Sequence, residues 1–146
     1  MSTVTESAAP AGELTHAAAL TKADVDALEA FLSARFDAMR SANHFSSDAY
    51  NAAAALARVL RDLVKPVRAS FRYDDGSPEL LRARMRHWNR LRGLAEPWEN
   101  TDGYDRGRWD YLVHLDASEV ASSAEYARRR EEEQAAYERD RLLRSL

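Results

Sequence analysis

Bulky apolar residues are spaced for helix through most of the chain. Val25, Leu28, Leu32, Phe36 and Met39 recur at steps of three and four, the interval that keeps side chains on one face of an α-helix. Thr21 and Asp24 precede them at capping-box spacing, with Asp in place of the usual Glu or Gln. A first helix is therefore expected from Thr21 to about Ala42. After the connection Asn43–Ser47, Tyr50, Ala53, Leu56, Ala57, Leu60, Leu63 and Val64 predict a second helix, which Pro66 should end or kink. A link this short sets the two antiparallel, as an αα-hairpin.

The third pattern is the densest. Ser77-Pro78-Glu79 supplies a capping oxygen, a ring already at helical φ and an acid at the positive end of the helix dipole. Leu81, Met85, Trp88 and Leu91 then form a stripe flanked by Arg82, Arg84, Arg86, Arg90 and Arg92, with Gly93 as the expected stop. Two stretches resist a single assignment. Val67, Ala69, Phe71 and Tyr73 alternate with polar residues, which fits a half-buried strand, a helical turn or an ordered loop. Trp109–Leu115 fits a short helix or a strand, and if both stretches were strands they would pair as a small ribbon.

Ala95–Trp109 holds Pro97, Trp98, Gly103, Tyr104, Gly107 and Trp109. Its turn residues predict a loop, and its rings are large enough to predict that the loop folds back over the helices. Asp116 and Glu119 would cap a last helix reaching about Leu146, whose apolar face is narrow up to Ala127 and absent from Arg128 onward. Pairs such as Glu125 with Arg129 and Arg128 with Glu132 support such a solvated helix by roughly 0.2–0.5 kcal/mol each. Met1–Leu20 is small and polar, as expected of a disordered tail. The fold class that follows is all-α, an antiparallel bundle of four to five helices over residues 21–146, with residues 128–146 a polar and projecting helix. The alternative is an α+β fold carrying the ribbon of residues 67–73 and 109–115.

Composition narrows the chemistry. With no cysteine among 146 residues, disulfides, thiolate metal sites and cysteine nucleophiles are excluded. Neither a membrane-length apolar run nor the basic-then-apolar order of a signal peptide is present, so a soluble, cytoplasmic chain is expected. The formal net charge of −3 conceals a basic middle, Arg58–Arg92, with ten basic against four acidic residues. Lys22 and Lys65 are the only lysines. This arginine bias, together with abundant alanine, is what GC-rich codons produce without selection for phosphate binding.

His44, His87 and His114, with Glu96, Asp105 or Asp110, match no metal-binding spacing such as H-E-x-x-H or E-x-x-H. Asn100, Asp102 and Gly103 fail as a calcium loop, because that alignment puts Trp98 at the first ligand position and Trp109 at the last. Neither G-x-S-x-G nor a glycine-rich phosphate loop occurs. Neither cofactor nor metal is expected, and no catalytic residue.

What remains is a surface. Arg82, Arg86 and Arg90 lie four residues apart on one side of a helix, with Arg84 and His87 on another. Trp98, Tyr104, Trp109 and Tyr111 cluster in sequence around Arg106 and Arg108. Exposed tryptophan, tyrosine and arginine are enriched at binding hot spots. The expected function is that of a small non-catalytic adaptor or regulatory protein, binding a protein partner through Arg82, Arg86, Arg90, Trp98, Tyr104, Arg106, Arg108 and Trp109. Completion of the core by at least two of the four rings is expected as well. Nucleic-acid binding by the same helix is the alternative, a metal-dependent enzyme ranks last, and the C-terminal helix could join two copies.

Overall fold

Four α-helices account for most of the described chain, and no strand occurs among the described residues: α1 is Lys22–Ser41, α2 Asp48–Ala69, α3 Pro78–Ala95 and α4 Ala117–Arg144. Short 3-10 turns cover Ala17–Ala19 and Glu96–Trp98. This computed structural model describes residues 16–114 and 117–146. The expected tail before His16 and the expected cap at Asp116 lie outside the described residues. No helix among them is long and apolar enough to cross a membrane.

Each of the first three helices starts where its cap falls. The Thr21 hydroxyl accepts from the Asp24 amide at 3.2 Å while the Asp24 carboxylate accepts from the Thr21 amide at 2.9 Å, a reciprocal box that satisfies two otherwise orphaned donors. Ser47 and Ser77 cap α2 and α3 by accepting from the amides of Tyr50 and Leu80, each at 3.2 Å.

Pro66 does not end α2. The helix continues through Ala69, although an internal proline costs about 3 kcal/mol. Two features hold that last turn. Val64 and Val67 are buried in the core, and the Arg68 guanidinium donates to Asp26 and Glu29, both at 2.8 Å. Those acids stand near the start of α1, so the end of α2 lies beside the start of α1 and the pair is antiparallel. α3 packs in turn against α2.

The ribbon alternative is thereby corrected. Residues 67–69 finish α2, residues 70–73 turn away from it, and residues 109–114 are neither strand nor helix. Gly93 is also not a stop. It keeps helical geometry, and α3 runs on to Ala95.

The chain divides into two compact units, Met1–His114 and Leu115–Leu146. The core of the first joins Val25, Leu28, Leu32 and Phe36 of α1, Leu60, Val64 and Val67 of α2, and Trp88, Leu91 and Ala95 of α3. Ala17 and Leu20, expected in the tail, are buried there too, so ordered structure begins before Thr21. Trp109 and Leu112 close the same cluster from the loop side. In the second unit α4 stands as a helix with no buried residue.

Trp88 is the largest fully buried side chain. Trp88→Ala should lower stability by about 3–5 kcal/mol through lost burial and an unfilled cavity. Urea unfolding followed by circular dichroism measures this loss.

Candidate binding surface

The arginines of α3 divide into two populations. Arg84, Trp88, Leu91, Arg92 and Ala95 are its buried residues, so the inward stripe runs through two arginines that the bulky-residue pattern places on the flanks. Arg84 is only 2 % exposed. Its Nη2 donates to the Ser70 carbonyl at 2.8 Å and to Asp74 at 2.7 Å, its Nε donates to the Ser70 hydroxyl at 3.0 Å, and its guanidinium carbon lies 4.0 Å from the centre of the Phe71 ring. It thus binds a carbonyl at the negative end of α2 and supplies charge where the dipole favours a cation. The hydrogen bond from Arg84 holds the Asp74 carboxyl below its usual range. Arg92 is buried beside the Tyr104 and Tyr111 rings and donates to Glu99 at 2.8 Å.

Arg86 and Arg90, one turn apart, are exposed and form no ion pair among the described residues. Arg82 is half-buried and engaged in an interaction. Between the two exposed arginines stands His87. Burial first, and then the charges of Arg90 and Arg86, push its pKa down.

Beyond α3 the chain folds back as a lid. α3 grips it along residues 110–114: the Trp88 indole N–H donates to the Asp110 carbonyl at 2.7 Å, and the His114 amide contacts the Met85 sulfur at 3.1 Å. Asn89 does more. Its Nδ2 donates to the Leu112 carbonyl at 3.1 Å and its Oδ1 accepts from the Leu112 amide at 2.8 Å, so one side chain satisfies both backbone groups of that residue. Gly103, at φ 88° and with space for no more than ordinary contact against Phe31, makes the turn that leads into Tyr104.

The predicted rings have different fates. Trp109 is 6 % exposed and lies 5.3 Å from the Phe31 ring and 5.0 Å from Tyr104, ring centre to ring centre. The Tyr104 hydroxyl donates to the Trp109 carbonyl at 2.8 Å, and burial pushes its pKa up to about 12. Trp98 packs edge-on against Phe36 and remains partly exposed, while Tyr111 is 40 % exposed. Trp109 is therefore part of the core, and Tyr104, half-buried, packs against it.

Arg108 is likewise turned inward. Its Nη2 donates to Asp24 at 2.7 Å and its Nε at 3.1 Å, and Nη2 also reaches the Ala19 carbonyl at 3.3 Å. The bidentate pair ties the lid to the capping box of α1 across most of the sequence of the first unit. Arg106, two residues earlier, is exposed.

Of the residues expected to meet a partner, the structure leaves Arg86, Arg90 and Arg106 exposed and Arg82 and Trp98 half-buried, and it uses Tyr104, Arg108 and Trp109 internally. Arg84, Asn89 and Arg92 were not anticipated in their structural roles, and neither was the pairing of the capping-box residue Asp24 with Arg108. A signal for Arg84 and Arg92 does exist, because Arg84 precedes Trp88 by four and Arg92 follows it by four. Asn89 carries no comparable mark.

Metal chemistry gains no support from the geometry. His44, His87 and His114 are not assembled, and no group of three or more metal-ligating side chains occurs among the described residues. An open groove of about 440 Å³ between α1 and α2 is lined by Ser33, Asp37, Arg40, Ala54, Ala57, Arg58 and Arg61. Its walls lack the large apolar surface that usually encloses a small molecule. Comparison with protein-family models, with curated proteins and with solved structures yields no match.

Asp24 yields a pH prediction. Burial raises its pKa, but the hydrogen bonds from Arg108 and Thr21 outweigh this and hold it below the ordinary 3.8. A depressed folded pKa means that the unfolded chain binds the proton more readily. Asp24 therefore contributes fully above pH 3.8, and the contribution drains away as pH falls through the lower folded value. Asp24→Asn should cost roughly 1.5–3 kcal/mol at neutral pH, the usual range for hydrogen bonds to a charged group. Its unfolding free energy, measured by denaturant titration, should also fall less steeply with acid than that of the parent.

Proposed function

We propose that this chain is a small non-catalytic adaptor or regulatory protein that docks on an acidic surface of another protein. The contact is made by the outer side of α3, through Arg86 and Arg90, together with Arg106 and the exposed part of Trp98. One observation carries this reading: the two α3 arginines stand one turn apart in solvent with no ion-pair partner among the described residues, and their charge is felt by His87 between them. Nearby arginines of the same unit are spent on its own architecture, as with Arg68, Arg84, Arg92 and Arg108. Uncompensated like charges repel, and an acidic partner relieves that repulsion while steering the encounter.

The first step of the test is purification of the tagged protein from its own cells, with and without nuclease, and identification of a stoichiometric companion. Affinity for that companion is then compared between the parent and the Arg86→Glu/Arg90→Glu variant. A loss of at least about tenfold, equivalent to about 1.4 kcal/mol, with an unchanged helical circular-dichroism spectrum is expected. Unchanged affinity removes α3 from the contact. Companions that disappear on nuclease treatment, with affinity falling steeply as salt rises, would replace the protein partner with nucleic acid.

A further inference from the structure

A helix of 28 residues with none of them buried has no buried face of its own, and burying such a face is how most helices in proteins find their stability. Its own charges compensate in part. Glu125 pairs with Arg129 at 2.9 Å, Asp140 with Arg144 at 2.9 Å, and Arg128 approaches Glu132 at 3.9 Å. Arg130 and Glu133 enter no ion pair among the described residues, and both are exposed.

These two residues share a stripe with the helix's two tyrosines. Tyr126, Arg130, Glu133 and Tyr137 succeed one another at steps of four, three and four, which places them on one side of the helix. The rings are 63 % and 65 % exposed, and the Arg130 guanidinium carbon lies 6.0 Å from the centre of the Tyr126 ring. Along the stripe the order is aromatic, cation, anion, aromatic. Reversed in direction, the same stripe offers aromatic, anion, cation, aromatic. An antiparallel copy therefore sets every charge against its opposite and every ring against a ring, as a two-fold interface requires.

We propose that α4 is the surface through which two copies of this chain associate, running antiparallel, with Arg130 of each copy paired to Glu133 of the other and Tyr126 facing Tyr137. A parallel, in-register pair is disfavoured by the same residues, since it would set Arg130 against Arg130 and Glu133 against Glu133. Charge at such positions sets partner choice and orientation in paired helices. The proposal is independent of the α3 surface and survives if that surface binds nothing.

The test is sedimentation of the full-length protein over a range of concentrations, with circular dichroism as the check on helicity. The parent should reach the mass of two chains. Arg130→Glu and Glu133→Arg should each weaken self-association by at least about tenfold. Mixing these two variants should restore a dimer, because one chain then carries two acids and the other two bases on the stripe. The exchanged variant Arg130→Glu/Glu133→Arg should pair with itself, which only the antiparallel arrangement allows. A parent that stays monomeric throughout, single variants that dimerise as well as the parent, or an exchanged variant that does not self-associate would each overturn the proposal.

Discussion

Trp88 has to be buried, and its indole N–H has to be bonded. The ring is the largest of the fully buried side chains and no part of it is exposed, so it anchors α3 by area alone. Its N–H is a donor that costs free energy if left dry and unpaired. The donor finds the Asp110 carbonyl, and that bond makes a segment without secondary structure part of the fold. Asn89, the next residue of α3, then satisfies both backbone groups of Leu112. With the segment held, Trp109 and Leu112 enter the core and Tyr104 closes over Trp109. Arg108 is left facing the Asp24 carboxylate that already caps α1. Packing of the lid and capping of the first helix thus meet in one ion pair.

The same helix shows how a basic sequence can be consumed by architecture. Arg84 binds a carbonyl at the end of α2, and Arg92 is enclosed by tyrosines and Glu99. Neither is available to a partner without opening the unit. What the surface retains of α3's charge is narrower than a count of arginines implies, and it is also better defined, since Arg86 and Arg90 lie on one side of a helix whose orientation Trp88 fixes. On α4 the same economy holds in another form. Glu125 with Arg129, Arg128 with Glu132 and Asp140 with Arg144 pair within that helix, and Arg130 and Glu133, on the tyrosine stripe, belong to none of these pairs.

Helix positions were legible because caps and apolar periodicity agree. Thr21 with Asp24 and Ser77 with Pro78 each open a helix where they stand, and the stripe of Val25, Leu28, Leu32 and Phe36 is the buried face of α1. The failures arise where tertiary contacts outweigh local preference. Pro66 is a helix breaker by propensity, yet burial of Val64 and Val67 and the grip of Arg68 on α1 carry α2 past it. The alternation in residues 67–73 and 109–115 suggests strands, but ladder bonds are replaced by a helix turn in the first and by α3 side chains over residues 110–114 in the second. Within the candidate surface, the inward turn of Arg108 could not be read from sequence, because its partner Asp24 is remote along the chain. Ala17 and Leu20 were equally hidden, being too few apolar residues to signal a packed segment.

The fold of the first unit depends on α3 holding an irregular segment as firmly as a helix holds its own turns. Backbone amide exchange at Leu112 tests this most directly, since the Asn89 side chain accepts that amide's hydrogen bond. Exchange as slow as that of core amides in α3 such as Leu91, reverting to loop-like rates in Asn89→Ala, is the predicted result. A Leu112 amide that exchanges in the parent as fast as the exposed amides around Arg106 would contradict it.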